Sequence, residues 1–153
     1  MKIAIGSDHG GFELKSMLVQ ELSSSATMLD KGPASKESCD YPDYAVAVAK
    51  DVSSGEVDFG ILICRSGIGM SMVANRFQNV RAALCSTTDA ATLTRQHNGA
   101  NVLCIGADTV SPAYALEIVK AFISTPVDMD PRHEKRRWKL ERADRLSDCS
   151  GLM

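Results

Sequence analysis

The stretch FGILICRSGIG, residues 59–69, carries the clearest structural signal in the chain. Residues 59–64 are apolar without alternating polar positions, which predicts a strand that is buried on both faces. The polar and glycine-rich run that follows predicts a loop, and apolar residues recur through Met72 and Val73 to Phe77 as in a helix. The stretch therefore predicts a strand, a loop and a helix, with Cys64 at the carboxyl end of the strand.

The same order of apolar run and helical pattern recurs on both sides of this stretch. Strands are predicted at 2–6, 27–29, 80–85 and 101–105, and helices at 12–22, 44–52, 89–96 and 113–123. Strands that are apolar throughout and alternate with helices call for a parallel sheet covered on both faces, so we predict a doubly wound α/β fold. Ligands bind such sheets at the carboxyl ends of the strands. The loops after Gly6, Ile63 and Ile105 are therefore the candidate sites.

The C-terminal segment has a different character. Residues 131–146 are predicted to form one more helix, and residues 131–145 hold seven Lys/Arg against three Asp/Glu. Such a helix is either a solvated basic face along the body of the protein or an arm that reaches over a second subunit. We expect one domain over residues 1–146 that includes this helix, followed by a short tail at 147–153.

Composition excludes several classes of protein. A net charge of −2 and 5% aromatic residues give no reason to expect nucleic acid or a membrane surface as a partner. The five cysteines are an odd number without a CxxC pair, and the N-terminus does not resemble a signal peptide. We therefore expect a protein of the reducing cytoplasm. The sequence also lacks a His/Cys/Asp cluster with metal-ligand spacing, so no metal is expected.

Cys64 is the first candidate for chemistry. Backbone N–H groups in a glycine-rich turn and at the start of a helix can stabilise an oxyanion or a thiolate, which would make Cys64 reactive. The alternative is an inert core cysteine, since buried cysteines usually behave as small apolar residues. Cys85 and Cys104 end apolar strands without a glycine loop behind them, and both are expected in the core.

The three histidines, His9, His97 and His133, all have polar neighbours in sequence. A histidine pKa lies near neutrality, which suits proton transfer to a sugar ring oxygen. His9 and His97 fall in predicted loops that we expect at the functional end of the sheet. The alternative for each is a surface or capping histidine.

Five motifs occur together in one order. They are GSDHGG at 6–11, DYPD at 40–43, ILICRSGIG at 61–69, ANR at 74–76 and RQHN at 95–98. Over roughly residues 1–145 the chain thereby resembles the family of type B ribose-5-phosphate isomerases and galactose-6-phosphate isomerases. The resemblance implies a three-layer Rossmann-like fold with a five-stranded parallel sheet and an extra C-terminal helix. It also implies a homodimer or homotetramer whose active sites are shared between subunits.

The resemblance further implies roles for individual residues. Cys64 would be the base that moves a proton through an enediolate, Ser66 its hydroxyl neighbour, and the backbone of Gly67, Ile68 and Gly69 the cradle of the enediolate. The remaining positions implied are Asp8 and His9 along the sugar and phosphate, Tyr41 as a wall of the pocket, His97 and Asn98 for ring opening, and Arg132 and Arg136 as phosphate ligands. No metal or organic cofactor is needed for such a reaction.

Three positions depart from the family pattern. Arg65 stands where a glycine is usual, Asp108 where many members have a phosphate-binding arginine, and Gly99 where an acidic residue is frequent. The first two bear on which phosphosugar is bound, and Arg65 is a candidate to replace the missing cation. We expect aldose–ketose isomerisation of a small phosphosugar. The alternative is a sugar-phosphate-binding or partner subunit of a mixed assembly, without activity of its own.

Overall fold

A computed structural model describes residues 1–143 of the chain. Five strands and six helices follow one another in it. The strands are β1 (Lys2–Ser7), β2 (Thr27–Asp30), β3 (Phe59–Cys64), β4 (Ala82–Leu84) and β5 (Val102–Gly106). The helices are α1 (Phe12–Leu22), α2 (Tyr41–Ser54), α3 (Ile68–Ala74), α4 (Thr88–Leu93), α5 (Pro112–Ser124) and α6 (Pro131–Leu140). A 3₁₀ turn at His9–Gly11 precedes α1, and a π-helical turn at Thr94–Asn98 follows α4.

All five strands are parallel and lie in the order β2-β1-β3-β5-β4. From β1 the chain adds β2 on one side and β3, β5 and β4 on the other, which makes the sheet doubly wound. Strand β3 is its central strand. The predicted fold class is confirmed. Residues that face each other across the central pairs include Ser7 with Ile63, and Cys64 with Gly106. The loops after β1, β3 and β5 therefore leave the same edge of the sheet side by side.

Alternate residues of the central strands enter two separate cores. Ile61 and Ile63 of β3 pack towards α1 and α5, where Phe122 is the largest buried aromatic residue. Leu62 and Cys64 point to the other face and pack with α2 and α3. The sheet is thus buried on both faces, which is why its strands show no polar alternation. The side chain of Cys64 lies on the α2/α3 face.

The structure corrects several predicted boundaries. The α2 helix starts at Tyr41 rather than at residue 44, because Pro42 fits the first helical turn. The α3 helix ends at Ala74 rather than at Phe77, because the Asn75 side chain exchanges two hydrogen bonds with the backbone of Ala82, at 2.9 and 2.8 Å. Strand β4 is also shorter than predicted, since it covers Ala82–Leu84 instead of residues 80–85.

The C-terminal helix is also shorter than predicted. The α6 helix ends at Leu140, and Arg142 and Ala143 donate to carbonyls three residues back, as in a closing turn. Residues 144–146 of the predicted helix, and the tail at 147–153, lie outside the described residues. Within residues 1–143 no helix is long and apolar enough to cross a membrane.

An ion pair between buried Lys15 and exposed Asp30 fastens α1 to the end of β2. Lys15 is 1% exposed, and its Nζ lies 2.8 and 2.6 Å from the two carboxylate oxygens of Asp30. The same carboxylate accepts the N–H of Gly32 at 2.9 Å, and the Gly32 carbonyl accepts the N–H of Ser7 at 3.0 Å. The ion pair therefore connects α1 with the segment that leads β1 into its loop.

Replacing Asp30 with alanine should destabilise the fold measurably. The change leaves a buried ammonium without its partner, and the free energy of unfolding should fall by about 2 kcal/mol, less than for a fully buried pair because Asp30 is partly exposed. Urea denaturation measures this. Glu13→Ala is the matched control, since it removes the exposed pair with Lys36 and should cost less than about 0.5 kcal/mol. Equal midpoints for the two variants would contradict the role assigned to Lys15.

Candidate active site

Cys64 lies at the carboxyl end of the central strand. Its side chain is enclosed, with the residue 6% exposed, and its Sγ accepts a hydrogen bond from the Gly67 N–H at 3.1 Å. Its own carbonyl accepts the N–H of Ala107 at 2.8 Å, which fixes the end of β3 against the loop after β5. The thiol is thus held by a backbone donor at the edge where parallel sheets bind ligands.

The turn after Cys64 is shaped by glycine. Gly67 has a φ of 74°, and a Cβ there would lie 2.6 Å from the Leu84 side chain and 2.9 Å from the Ile105 backbone. No other residue fits this combination of left-handed backbone and close packing. Within the turn, the Ser66 hydroxyl accepts the N–H of Ile68 at 3.3 Å. The helix α3 begins directly after it, so its first N–H groups face the site.

Asp8 and His9 lie in the neighbouring loop at the same edge. The Asp8 N–H donates to the Ile63 carbonyl at 3.2 Å, one residue before Cys64. The Asp8 carboxylate caps the short turn by accepting the Gly11 N–H at 3.0 Å. The Nδ1 of His9 lies 3.1 Å from the carbonyl oxygen of Cys39 and 3.2 Å from its nitrogen, so this ring is held against the loop that precedes α2.

Tyr41 covers the glycine-rich turn from the start of α2. A Cβ at Gly69 would lie 2.6 Å from two ring carbons of Tyr41, so the ring packs directly on the backbone of that turn. Tyr41 itself remains partly exposed. The structure therefore brings together all the predicted site residues of the loops after β1 and β3, and Tyr41 with them.

Two of the three departures from the family pattern, Arg65 and Asp108, contact each other. The Arg65 guanidinium lies 3.3 Å from the Asp108 carboxylate, and both side chains are exposed, at 72% and 60%. The Arg65 stem also crosses the preceding loop, since a Cβ at Gly10 would lie 2.8 Å from its Cγ. Arg65 and Asp108 thus form a charge pair beside the loop that holds Asp8 and His9.

His97 and Asn98 lie at the opposite edge of the sheet, which corrects the expectation that His97 sits at the functional end. They belong to the turn between α4 and the start of β5, next to Asn101, whose N–H pairs with the Arg81 carbonyl before β4. At ~3.3 Å per residue, the length of β5 places this turn roughly 15 Å from the Cys64 end. One chain therefore does not bring His97 to Cys64.

The start of α6 packs on this turn through a residue that the sequence reasoning did not select. The His133 ring stacks on His97 with centroids 4.2 Å apart and planes at 4°. Arg137 donates to the carbonyls of Gln96 and His97, both at 3.4 Å. Arg132 and Arg136 are exposed. The spacing of four between His133 and Arg137 is the sequence signal that could have identified this inner face.

Two other cysteines, Cys85 and Cys104, are buried in the core. Burial raises the pKa of the Cys85 thiol to about 11. Burial, followed by the neighbouring Cys64 and Cys85, raises the pKa of Cys104 further still. Both are core thiols, as expected. Within residues 1–143 there is no group of three or more His, Cys, Asp or Glu side chains that could hold a metal ion.

Fold and site together define a doubly wound α/β protein with an enclosed thiol and a glycine-rich turn at the carboxyl edge of its central strand. The chain belongs to the ribose/galactose isomerase family, whose family model matches residues 3–140. It is accordingly an aldose–ketose isomerase, and the resemblance predicted from the five motifs is confirmed.

Individual relatives cover nearly the whole chain. The chain is 46% identical over 136 residues to ribose-5-phosphate isomerase B of Escherichia coli, a match that covers 88% of the chain and 91% of the relative. The crystal structure of a ribose 5-phosphate isomerase from Thermotoga maritima superposes with a TM-score of 0.89 at 46% identity, covering 92% and 97%. Ribose-5-phosphate isomerase B from Mycoplasma genitalium, solved with bound ribulose-5-phosphate, gives 0.88 at 36% identity, covering 95% and 97%.

The Arg65–Asp108 pair should tune the binding of an anionic substrate. Asp108→Asn frees the Arg65 cation and should lower the KM for a phosphosugar about two- to five-fold, while Arg65→Ala leaves Asp108 unpaired and should raise it by a similar factor. The double variant Arg65→Ala with Asp108→Asn should return towards the wild-type KM. Steady-state kinetics of the four proteins form the cycle. Unchanged KM values in both single variants would place the pair outside the site.

Proposed function

We propose that this isomerase interconverts ribose 5-phosphate and ribulose 5-phosphate through an enediolate, with Cys64 as the base. The observation that carries the proposal is the enclosed Cys64 thiol, held by the Gly67 N–H at the carboxyl edge of the central strand. The names of the relatives support this choice of substrate. The alternative of a partner subunit without activity predicts that the purified chain alone converts no aldose phosphate.

The thiol and the turn have complementary tasks in this reaction. The Cys64 thiolate takes the hydrogen at C2 of the opened aldose as a proton, which leaves an enediolate with its charge on the oxygen at C1. The same group returns the proton to C1 while the hydroxyl proton on the C2 oxygen passes to the C1 oxygen, so C1 becomes an alcohol and C2 a ketone. The backbone of residues 67–69 stabilises the charge that develops, with Ser66 beside it. No metal or organic cofactor takes part.

Ring opening is the task of His97 in this proposal, assisted by Asn98. His97 donates a proton to the ring oxygen as the bond from that oxygen to C1 breaks, and the C1 hydroxyl loses its proton to water. His97 lies at the opposite edge of the sheet from Cys64 in one chain, so it must come from a second copy. A homodimer with two shared sites, alone or paired into a tetramer, meets this requirement.

Phosphate binding is assigned to both copies. The second copy would present Arg132 and Arg136, which are exposed and four residues apart, so both point from one side of α6. The first copy contributes His9, and Arg65 at the rim.

The four described cysteines are all free thiols, which supports the proposal that the enzyme works in a reducing cytoplasm.

Removing the Cys64 thiol should abolish proton transfer while the fold persists. Cys64→Ala should lower kcat on ribose 5-phosphate by about 10²- to 10⁴-fold, because the general base is lost and little packing volume changes. Exchange of the C2 hydrogen with heavy water, followed by NMR, should stop as well. Cys39→Ser, which alters a partly exposed thiol, should retain both activities. Exchange at the wild-type rate in Cys64→Ala would remove Cys64 from the mechanism.

A shared site should allow two inactive variants to restore each other. A mixed dimer of Cys64→Ala and His97→Ala chains contains one site that carries both native residues. After dissociation and reassociation of an equal mixture, about a quarter of the wild-type activity should return, because half of the dimers are mixed and each has one working site. Mixing Cys64→Ala with Cys64→Ser chains is the control and should restore nothing. No recovery in the first mixture contradicts the shared site.

A further inference from the structure

The stacked histidines form a contact that the proposed chemistry does not yet use. His133 is 4% exposed, lies under the half-buried His97, and its ring is nearly parallel to the His97 ring at 4.2 Å. Two flat rings at this separation are in van der Waals contact over their faces. His133 therefore blocks one whole side of the His97 ring and limits its rotation.

The surroundings of His133 favour its neutral form. Burial, followed by His97 and Arg132, lowers the pKa of His133, while Asp128 and Asp130 act in the opposite direction. The Arg132 guanidinium lies 3.4 Å from the His133 Nε2, and because a guanidinium only donates, Nε2 accepts and the proton belongs on Nδ1. That Nδ1 is buried and has no hydrogen-bond partner among the described residues. Asp128 is 3.9 Å from Nε2, beyond hydrogen-bond distance.

Backbone contacts fix the turn that carries His97, but they do not fix its ring. Arg137 holds the carbonyls of Gln96 and His97, and the Asp128 N–H donates to the Gln96 carbonyl at 3.0 Å. Among residues 1–143, the stacked His133 ring is the contact that acts on the imidazole itself. A neutral ring suits this place, because a second cation stacked on His97 would repel a protonated imidazole.

We propose that His133 is the positioning residue of the ring-opening step: its neutral ring is the platform that holds the His97 imidazole in the orientation needed to protonate the sugar ring oxygen. This inference rests on the proposed function. It also places phosphate binding and the support of His97 side by side on α6. Arg132, a proposed phosphate ligand, is next to His133 in sequence and lies 3.4 Å from its Nε2. Loss of the platform should therefore slow the opening of a cyclic substrate far more than proton transfer on an acyclic substrate.

The two directions of the reaction separate ring opening from proton transfer. Ribose 5-phosphate is a furanose that must be opened, whereas ribulose 5-phosphate is acyclic because its C5 hydroxyl carries the phosphate. His133→Ala should lower kcat on ribose 5-phosphate about 10- to 100-fold through misplacement of His97. At saturating ribulose 5-phosphate, exchange of its C1 hydrogen with heavy water should change by less than about two-fold, since it needs Cys64 and the backbone of residues 67–69 but not His97. His133→Phe, which keeps a flat neutral ring, should retain most of the kcat on ribose 5-phosphate.

Controls separate the possible failures. Glu134→Gln, an exposed change on the same helix, should leave both rates at the wild-type level, and sedimentation should show the same assembly for every variant. If the two rates fall together in His133→Ala, or if His133→Phe is as impaired as His133→Ala, the platform role is overturned. A wild-type protein that exchanges no hydrogen of ribulose 5-phosphate would instead overturn the proposed function.

Discussion

The turn that follows β3 is the constraint on which the rest of the structure depends. At Gly67 the backbone is left-handed, and the space for a side chain is already filled by Leu84 and the backbone of Ile105. This close approach lets β3 and β5 end side by side, with the Ala107 N–H on the Cys64 carbonyl. It also aims the Gly67 N–H at the Cys64 thiol. A larger residue would have to push β5 away, and the thiol would lose its donor in the same movement.

Local patterns allowed the central part of the fold to be predicted. Strand β3, its loop and the position of Cys64 follow from an unbroken apolar run that meets glycine, and the covering helices follow from apolar periodicity. The end of α3 could not be predicted, because it depends on Asn75 bonding to the backbone of Ala82 across a turn. The stack of His97 on His133 was missed for a similar reason. It joins residues on separate elements, and no local pattern encodes that contact.

The basic character of α6 resolves into two faces with different partners. Arg137 points inward and donates hydrogen bonds to the carbonyls of Gln96 and His97 at the end of the π-helical turn. The C-terminal end of a helical segment carries a partial negative charge, so a cation is favourable there. Arg132 and Arg136 are exposed, so their charge is available to a ligand or a second copy. Of the two alternatives set out from the sequence, a helix that lies along the body describes the inner side of α6, and an arm that reaches over a second subunit belongs to the proposed dimer.

The geometry of the sheet favours the proposed shared site. A thiol base needs the donors of a glycine turn, which this fold supplies at the carboxyl edge, and the amino edge supplies a histidine stacked on a buried ring. A single chain keeps these two environments about one strand length apart. In the proposed dimer each copy offers both edges, and a two-fold axis creates two complete sites from one type of contact. Proton transfer and ring opening can then be tuned by separate elements, because no side chain of one chain has to serve both.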